Sequence, residues 1–175
     1  MITSVTLANG LTLLRGGLIA PLVLGVLADH RWWAVVAFAL AVLTDAVDGL
    51  VARSRGEVTL LGAVLDPVMD KLLYLALFAS LSGVGGLPWL APVLYAIPQL
   101  GLGVGAMVLW ERREHLAARW PGKAAAALTA TAAAWLLLLP GGEPLFWTAV
   151  AANWFAALYY LAYQAGWIPP RKEGP

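Results

Sequence analysis

Apolar residues run along this chain in long blocks, and polar or turn-forming residues interrupt them at near-regular intervals. The blocks at 11–28, 32–51, 60–83, 89–110, 124–139 and 145–166 are near the 17–25 residues that a helix needs to cross a bilayer core of about 30 Å. The interruptions are Asp29-His30-Arg31, Ser54-Arg55-Gly56-Glu57, Gly85-Gly86-Leu87-Pro88, the basic segment 111–123, and Pro140-Gly141-Gly142-Glu143-Pro144. The pattern predicts helices and no strands. It describes an all-α integral membrane protein, a bundle of six transmembrane helices forming a single domain over residues 1–175.

Composition agrees with that solvent. Hydrophobic residues make up 61% of the chain, charged residues only 12%, and mean hydropathy is +0.79, well outside the range of ordinary soluble domains. A net charge of +1 gives no footing for a nucleic-acid partner, and the absence of cysteine excludes disulfides, thiolate metal sites and a cysteine nucleophile. The lipid bilayer is the expected surrounding partner.

Orientation follows from lysine and arginine, which accumulate in short cytoplasmic loops. With the N-terminus inside, Arg53, Arg55, Arg112, Arg113, Arg119, Lys123, Arg171 and Lys172 all fall inside and only Arg31 outside, while Arg15 and Lys71 fall within helices. Both termini are therefore expected in the cytoplasm. The first block does not read as a signal peptide, since no basic residue precedes it and no small-residue cleavage site follows.

Against this greasy background stand four carboxylates, Asp45, Asp48, Asp66 and Asp70, within 26 residues. A single Asp at the centre of a membrane helix costs roughly 2.5–3.5 kcal/mol, so such a group requires a wet cavity or a bound cation. Asp45, Asp48, Gly49 and Ala52 fall at i, i+3, i+4 and i+7 on the second block, one helical stripe. Gly62, Asp66 and Asp70 fall at i, i+4 and i+8 on the third. In the antiparallel topology both stripes lie towards the cytoplasmic side, and facing each other they form a carboxylate pocket.

Taken together, D-x2-D-G-x2-A-R-x8-G-x3-D-x3-D from Asp45 to Asp70 resembles the signature of the CDP-alcohol phosphatidyltransferases, membrane enzymes with a six-helix core that make phospholipids. The resemblance implies transfer of a phosphatidyl group from CDP-diacylglycerol to an alcohol acceptor with release of CMP, on Mg²⁺ or Mn²⁺, two ions in all. It implies Asp45, Asp48, Asp66 and Asp70 as metal ligands, with Asp70 also the catalytic base for the acceptor hydroxyl. It assigns Asp48, Gly49, Ala52, Arg53 and Gly62 to the CDP moiety: small residues leave room for the nucleotide, and Arg53 offers a planar cationic fork to phosphate oxygens. Homodimers and a location in the cytoplasmic membrane, with the site facing the cytoplasm, are implied as well.

Leu65-Asp66-Pro67-Val68-Met69-Asp70-Lys71 and the opening Asn9-Gly10-Leu11-Thr12-Leu13-Leu14-Arg15 are most similar to the phosphatidylglycerophosphate synthase and cardiolipin synthase branch. That favours sn-glycerol 3-phosphate as acceptor, with Arg112, Arg113, Arg119 and Lys123 as candidate acceptor-binding cations. Where that branch shows an Arg-Glu pair in the fourth block, this chain reads Pro98-Gln99-Leu100-Gly101. Phosphatidylglycerol, inositol phosphate, serine and choline stand as alternative acceptors. More remote alternatives are an Mg²⁺-dependent intramembrane prenyltransferase and a cation transporter, but the first usually has widely separated acidic motifs and the second internal repeats.

Lesser features have plain readings. The basic segment 111–123 also serves as an anchor to anionic headgroups, and Lys71 as a counter-charge to the aspartates. Pro67 either bends the third helix or sits harmlessly in its first turn. Gly101, Gly103 and Gly105 suggest close helix packing. His30 and His115 lack ligand partners at metal spacing, and Trp32, Trp33, Trp89, Trp110, Trp120, Trp147 and Trp167 fall near block ends, as interfacial belts do.

Overall fold

The structure, a computed structural model, describes residues 7–55, 60–111, 120–165 and 167, with side chains over 10, 13–47, 67–101, 120–165 and 167. These residues form six helices and no strand: α1 (Leu7–Leu27), α2 (Arg31–Arg55), α3 (Leu60–Gly83), α4 (Ala91–Glu111), α5 (Trp120–Leu138) and α6 (Glu143–Gln164). The chain divides into two compact units, Met1–Pro92 and Val93–Pro175.

Helix ends explain where the expected blocks shift. Helix α3 has the bounds that hydropathy predicts, whereas α1 starts at Leu7 and α2 runs on through Ser54 and Arg55. Polar residues are good helix formers once a helix is under way, so a hydropathy break need not end one. Helix α5 is described from Trp120 onward, which moves Lys123 from the expected loop into the helix.

In the first unit α1 packs against both α2 and α3. The α1–α2 crossing is tight at Gly25, where an added Cβ would lie 2.6 Å from the backbone nitrogen of Ala34. The turn between them passes through Asp29 at φ 56, and the His30 backbone N–H donates to Gly25 O at 2.8 Å. Because the obstacle is backbone, Gly25→Ala is expected to destabilise the protein by about 1–3 kcal/mol, read as a lower unfolding temperature in detergent; an unchanged midpoint would mean that the crossing is loose.

Pro67 is the eighth residue of α3 and is recorded inside the helix, which overturns its first-turn reading. It removes one rung of the helical ladder just before Asp70.

In the second unit, α5 packs against α6, and a buried polar chain joins three helices. Asn153 of α6 donates to Thr129 Oγ1 of α5 at 2.9 Å and accepts from Gln99 Nε2 of α4 at 2.5 Å. Trp154 Nε1 donates to Leu94 O at 3.0 Å. In an apolar interior such side-chain bonds fix helix register, because an unmatched amide there is costly. Gly101 lies on α4, where an added Cβ would meet nothing within 4 Å among the described residues, while the surroundings of Gly103 and Gly105 lie outside them.

Among the described residues, one helix, Glu143–Gln164, is by itself long and apolar enough to cross a membrane, with hydropathy 1.3; Leu13–Leu27 is a shorter apolar run. Two of the remaining helices are diluted for visible reasons. Helix α2 carries Arg31, Asp45, Asp48, Arg53 and Arg55. Helix α5 is rich in weakly hydrophobic alanine and begins Trp-Pro-Gly-Lys. Large apolar side chains are nevertheless exposed along the helices, including Leu24 and Leu27 on α1, Val36 and Leu40 on α2, and Phe155, Leu158 and Leu161 on α6. Trp32, Trp33, Trp89, Trp120 and Trp167 are exposed at or near helix ends.

Candidate active site

The carboxylates are carried by two continuous helices. Helix α2 is unbroken from Arg31 to Arg55, so positions 45, 48, 49 and 52 keep the i, i+3, i+4, i+7 register. Helix α3 does the same for positions 62, 66 and 70. The side chains of Asp48, Gly49, Ala52, Arg53, Gly62 and Asp66 lie outside the described residues, as do Arg112, Arg113 and Arg119 altogether. Lys123 is exposed on α5.

Asp45 and Asp70 are described, and they meet at a third helix. Arg15 of α1 places Nη2 2.8 Å from Asp45 Oδ1 and donates from Nη1 to Asp70 Oδ1 at 2.7 Å. The arginine side chain is 0% exposed, while those of Asp45 and Asp70 are 53% and 41% exposed. The arrangement is thus a buried cation holding two half-open anions, one from α2 and one from α3. It arises because α1 packs against both partner helices. Beside Arg15, Gly16 permits close approach of α3: an added Cβ would lie 3.3 Å from Met69 Sδ.

Charge explains why the cluster holds. Burying a guanidinium costs several kcal/mol unless it is paired and hydrogen-bonded, and Arg15 is paired at both terminal nitrogens. Each contact has the short length of a charge-assisted bond. An apolar patch adjoins the pair. Tyr74, one turn beyond Asp70, has its ring 6.1 Å from Phe38, edge-on, and 6.3 Å from Phe78, stacked. Phe38 and Phe78 are buried.

Sequence reasoning places Arg15 within a helix and at the end of the opening stretch, without a role. The available signal was a lone arginine inside an apolar block, which demands a partner. Arg15 supplies a counter-charge to both Asp45 and Asp70.

The donor chemistry fits a hard divalent cation. Asp45 and Asp70 present oxygen ligands with carboxyl groups partly open, and the helical register carries Asp48 and Asp66 within one turn of them. Mg²⁺ and Mn²⁺ favour oxygen donors and usually share their coordination with substrate phosphate. Among the described residues no group of three or more His, Cys, Asp or Glu stands ready to hold a metal. His30 is exposed between α1 and α2, with no such group around it.

Comparison with known proteins covers much more than this site. A family model described as CDP-alcohol phosphatidyltransferase matches residues 5–161. A probable phosphatidylglycerophosphate synthase of Mycobacterium tuberculosis (strain CDC 1551 / Oshkosh) is 39% identical over 150 residues, covering 82% of this chain and 71% of that protein. A CDP-diacylglycerol--glycerol-3-phosphate 3-phosphatidyltransferase of Salmonella choleraesuis (strain SC-B67) is 30% identical over 169 residues, 89% of this chain and 93% of that protein. A protein of the same description from Escherichia coli (strain K12) is 30% identical over 139 residues, 74% of this chain and 76% of its own length.

Proposed function

The chain belongs to the CDP-alcohol phosphatidyltransferase family, and from that premise we propose that it transfers the phosphatidyl group of CDP-diacylglycerol to sn-glycerol 3-phosphate, releasing CMP. The observation that carries the reading is the coincidence of the aspartate signature with the meeting of Asp45 and Asp70 at Arg15. The acceptor is inferred from relatives named for glycerol 3-phosphate, of which the chain covers up to 93%.

In this reaction the acceptor hydroxyl oxygen forms a bond to the phosphatidyl phosphorus. The bond from that phosphorus to the bridging oxygen breaks, and CMP departs with the electron pair. Asp70 takes the hydroxyl proton. Asp45, Asp48, Asp66 and Asp70 are the residues that would hold Mg²⁺ or Mn²⁺. When bound, two such ions offset the diphosphate charge and stabilise the leaving oxygen.

The chain's own residues do the positioning. Gly49, Ala52 and Gly62 carry little or no side chain on the two stripes, which leaves space for the nucleotide. Arg53 supplies a permanent charge and a bidentate fork for phosphate oxygens. Lys123, with Arg112, Arg113 and Arg119, supplies cations for the acceptor phosphate, and its exposure on α5 supports that role.

We place the protein in the cytoplasmic membrane as a multi-pass homodimer with its site towards the cytoplasm. Support comes from the 61% hydrophobic composition, the apolar side chains exposed along the helices, and the exposed tryptophans near helix ends. Large apolar side chains exposed in such number on each unit are foreign to soluble monomers and ordinary in lipid.

The test is CMP release by purified protein in detergent with Mn²⁺ and CDP-diacylglycerol, screened against glycerol 3-phosphate, phosphatidylglycerol, inositol phosphate, serine and choline. Release with glycerol 3-phosphate alone is expected. Release with a different acceptor would reassign the substrate, and none with any acceptor would contradict transferase function.

A further inference from the structure

Among the described residues of the first unit, Arg15 is the one fully buried charged side chain, and the reaction, as described above, does not use its charge. Its surroundings define what it does. The guanidinium joins two carboxylates that belong to different helices and lie 30 and 55 positions away in the chain. A planar fork holds its two terminal nitrogens rigidly side by side, so anions bound to both are held near each other. Without that cation Asp45 and Asp70 would share one region with like charges, an arrangement that drives such groups apart.

We propose that Arg15 is a positioning residue, the standing counter-ion of the Asp45–Asp70 pair, which keeps both donors together when no divalent cation is bound and shares them with the cation when one is. The inference rests on the metal-dependent transferase reading given above. It assigns Arg15 no contact with substrate.

The electrostatics have a definite sign. The pair and Arg15 together carry one net negative charge, and losing the arginine raises this to two. A divalent cation is then attracted more strongly and relieves more repulsion than it does in the native site. Metal-free protein loses stability while metal-bound protein keeps most of it. A side chain that only filled space would affect both forms alike.

Thermal unfolding of the full chain in detergent, stripped of metal or saturated with Mn²⁺, reads this directly. Native protein is expected to gain stability on Mn²⁺ addition, and Arg15→Gln to start lower and gain about twice as much. Arg15→Lys keeps the charge but not the fork, so its Mn²⁺ gain should stay near the native one while its turnover falls about tenfold or more. Equal Mn²⁺ gains in native protein and Arg15→Gln would overturn the proposal while leaving the transferase reading intact. No Mn²⁺ gain even in native protein would overturn both. If Arg15→Gln cannot be recovered folded, the double variant Arg15→Gln/Asp45→Asn decides: recovery of metal-free stability, by deleting the uncompensated charge, supports the counter-ion role, and failure to recover overturns it.

Discussion

Asp70→Asn is expected to lower turnover by about 10²–10⁴-fold, the usual range for removing a general base, while CDP-diacylglycerol binding changes by no more than a few-fold. The substitution is nearly isosteric and keeps an oxygen able to accept the Arg15 Nη1 hydrogen bond, now 2.7 Å long. On the proposed mechanism it removes the charge that would take the acceptor proton and contribute to metal binding. Because Arg15 retains Asp45 at 2.8 Å, the buried guanidinium is not left alone and the fold should survive. CMP release and equilibrium binding of the CDP-lipid, measured on the same preparation, separate chemistry from recognition. Unaltered turnover would remove Asp70 from the mechanism. Lost binding with normal unfolding behaviour would make it chiefly a ligand for the metal–diphosphate complex.

Chelation should have the other large effect. Treatment with excess EDTA is expected to bring acceptor-dependent CMP release to background, and Mg²⁺ or Mn²⁺ to restore it. Ca²⁺ should restore it poorly, since it prefers more ligands at longer distances than Mg²⁺. The cause is charge. The attacked phosphorus sits in a diphosphate whose oxygens are anionic, and Asp45 and Asp70 add negative charge beside it. Arg15 offsets only part of that excess. Without divalent cations, substrate and site repel each other. Asp45→Asn should raise the Mn²⁺ concentration needed for half-maximal activity, a shift that the same titration reads. Full activity in EDTA would show that the aspartates serve some other purpose.

Much of this architecture was legible in the sequence, for identifiable reasons. Long apolar blocks announce helices, and α3 has the predicted bounds because glycines and a polar segment flank it on both sides. The 3.6-residue period suffices to put positions 45, 48, 49 and 52 on one stripe, and the unbroken α2 preserves that register. The ends of α1, α2 and α5 were less legible, since polar residues extend those helices beyond their apolar stretches. The family was legible because signature aspartates in an apolar chain are costly and hence specific.

Arg15 was illegible as a site residue. Its isolation in an apolar block shows that it needs a partner, but nothing local says which, and Asp70 is 55 positions away. Such a pairing depends on how three helices pack. The Gln99–Asn153–Thr129 chain has the same character, as its three residues belong to three different helices. Pro98-Gln99 reads as a departure from a motif, and only the packed second unit reveals what Gln99 touches.

The central claim is that carboxylates from α2 and α3 hold divalent cations against the diphosphate of a CDP-lipid. The most direct measurement is the anomalous scattering of Mn²⁺ in crystals of the protein grown with CDP-diacylglycerol. Manganese is expected at coordination distance from Asp45 and Asp70 oxygens and from a diphosphate oxygen of the lipid. Manganese bound elsewhere, with the CDP-lipid seated away from these aspartates, would contradict it.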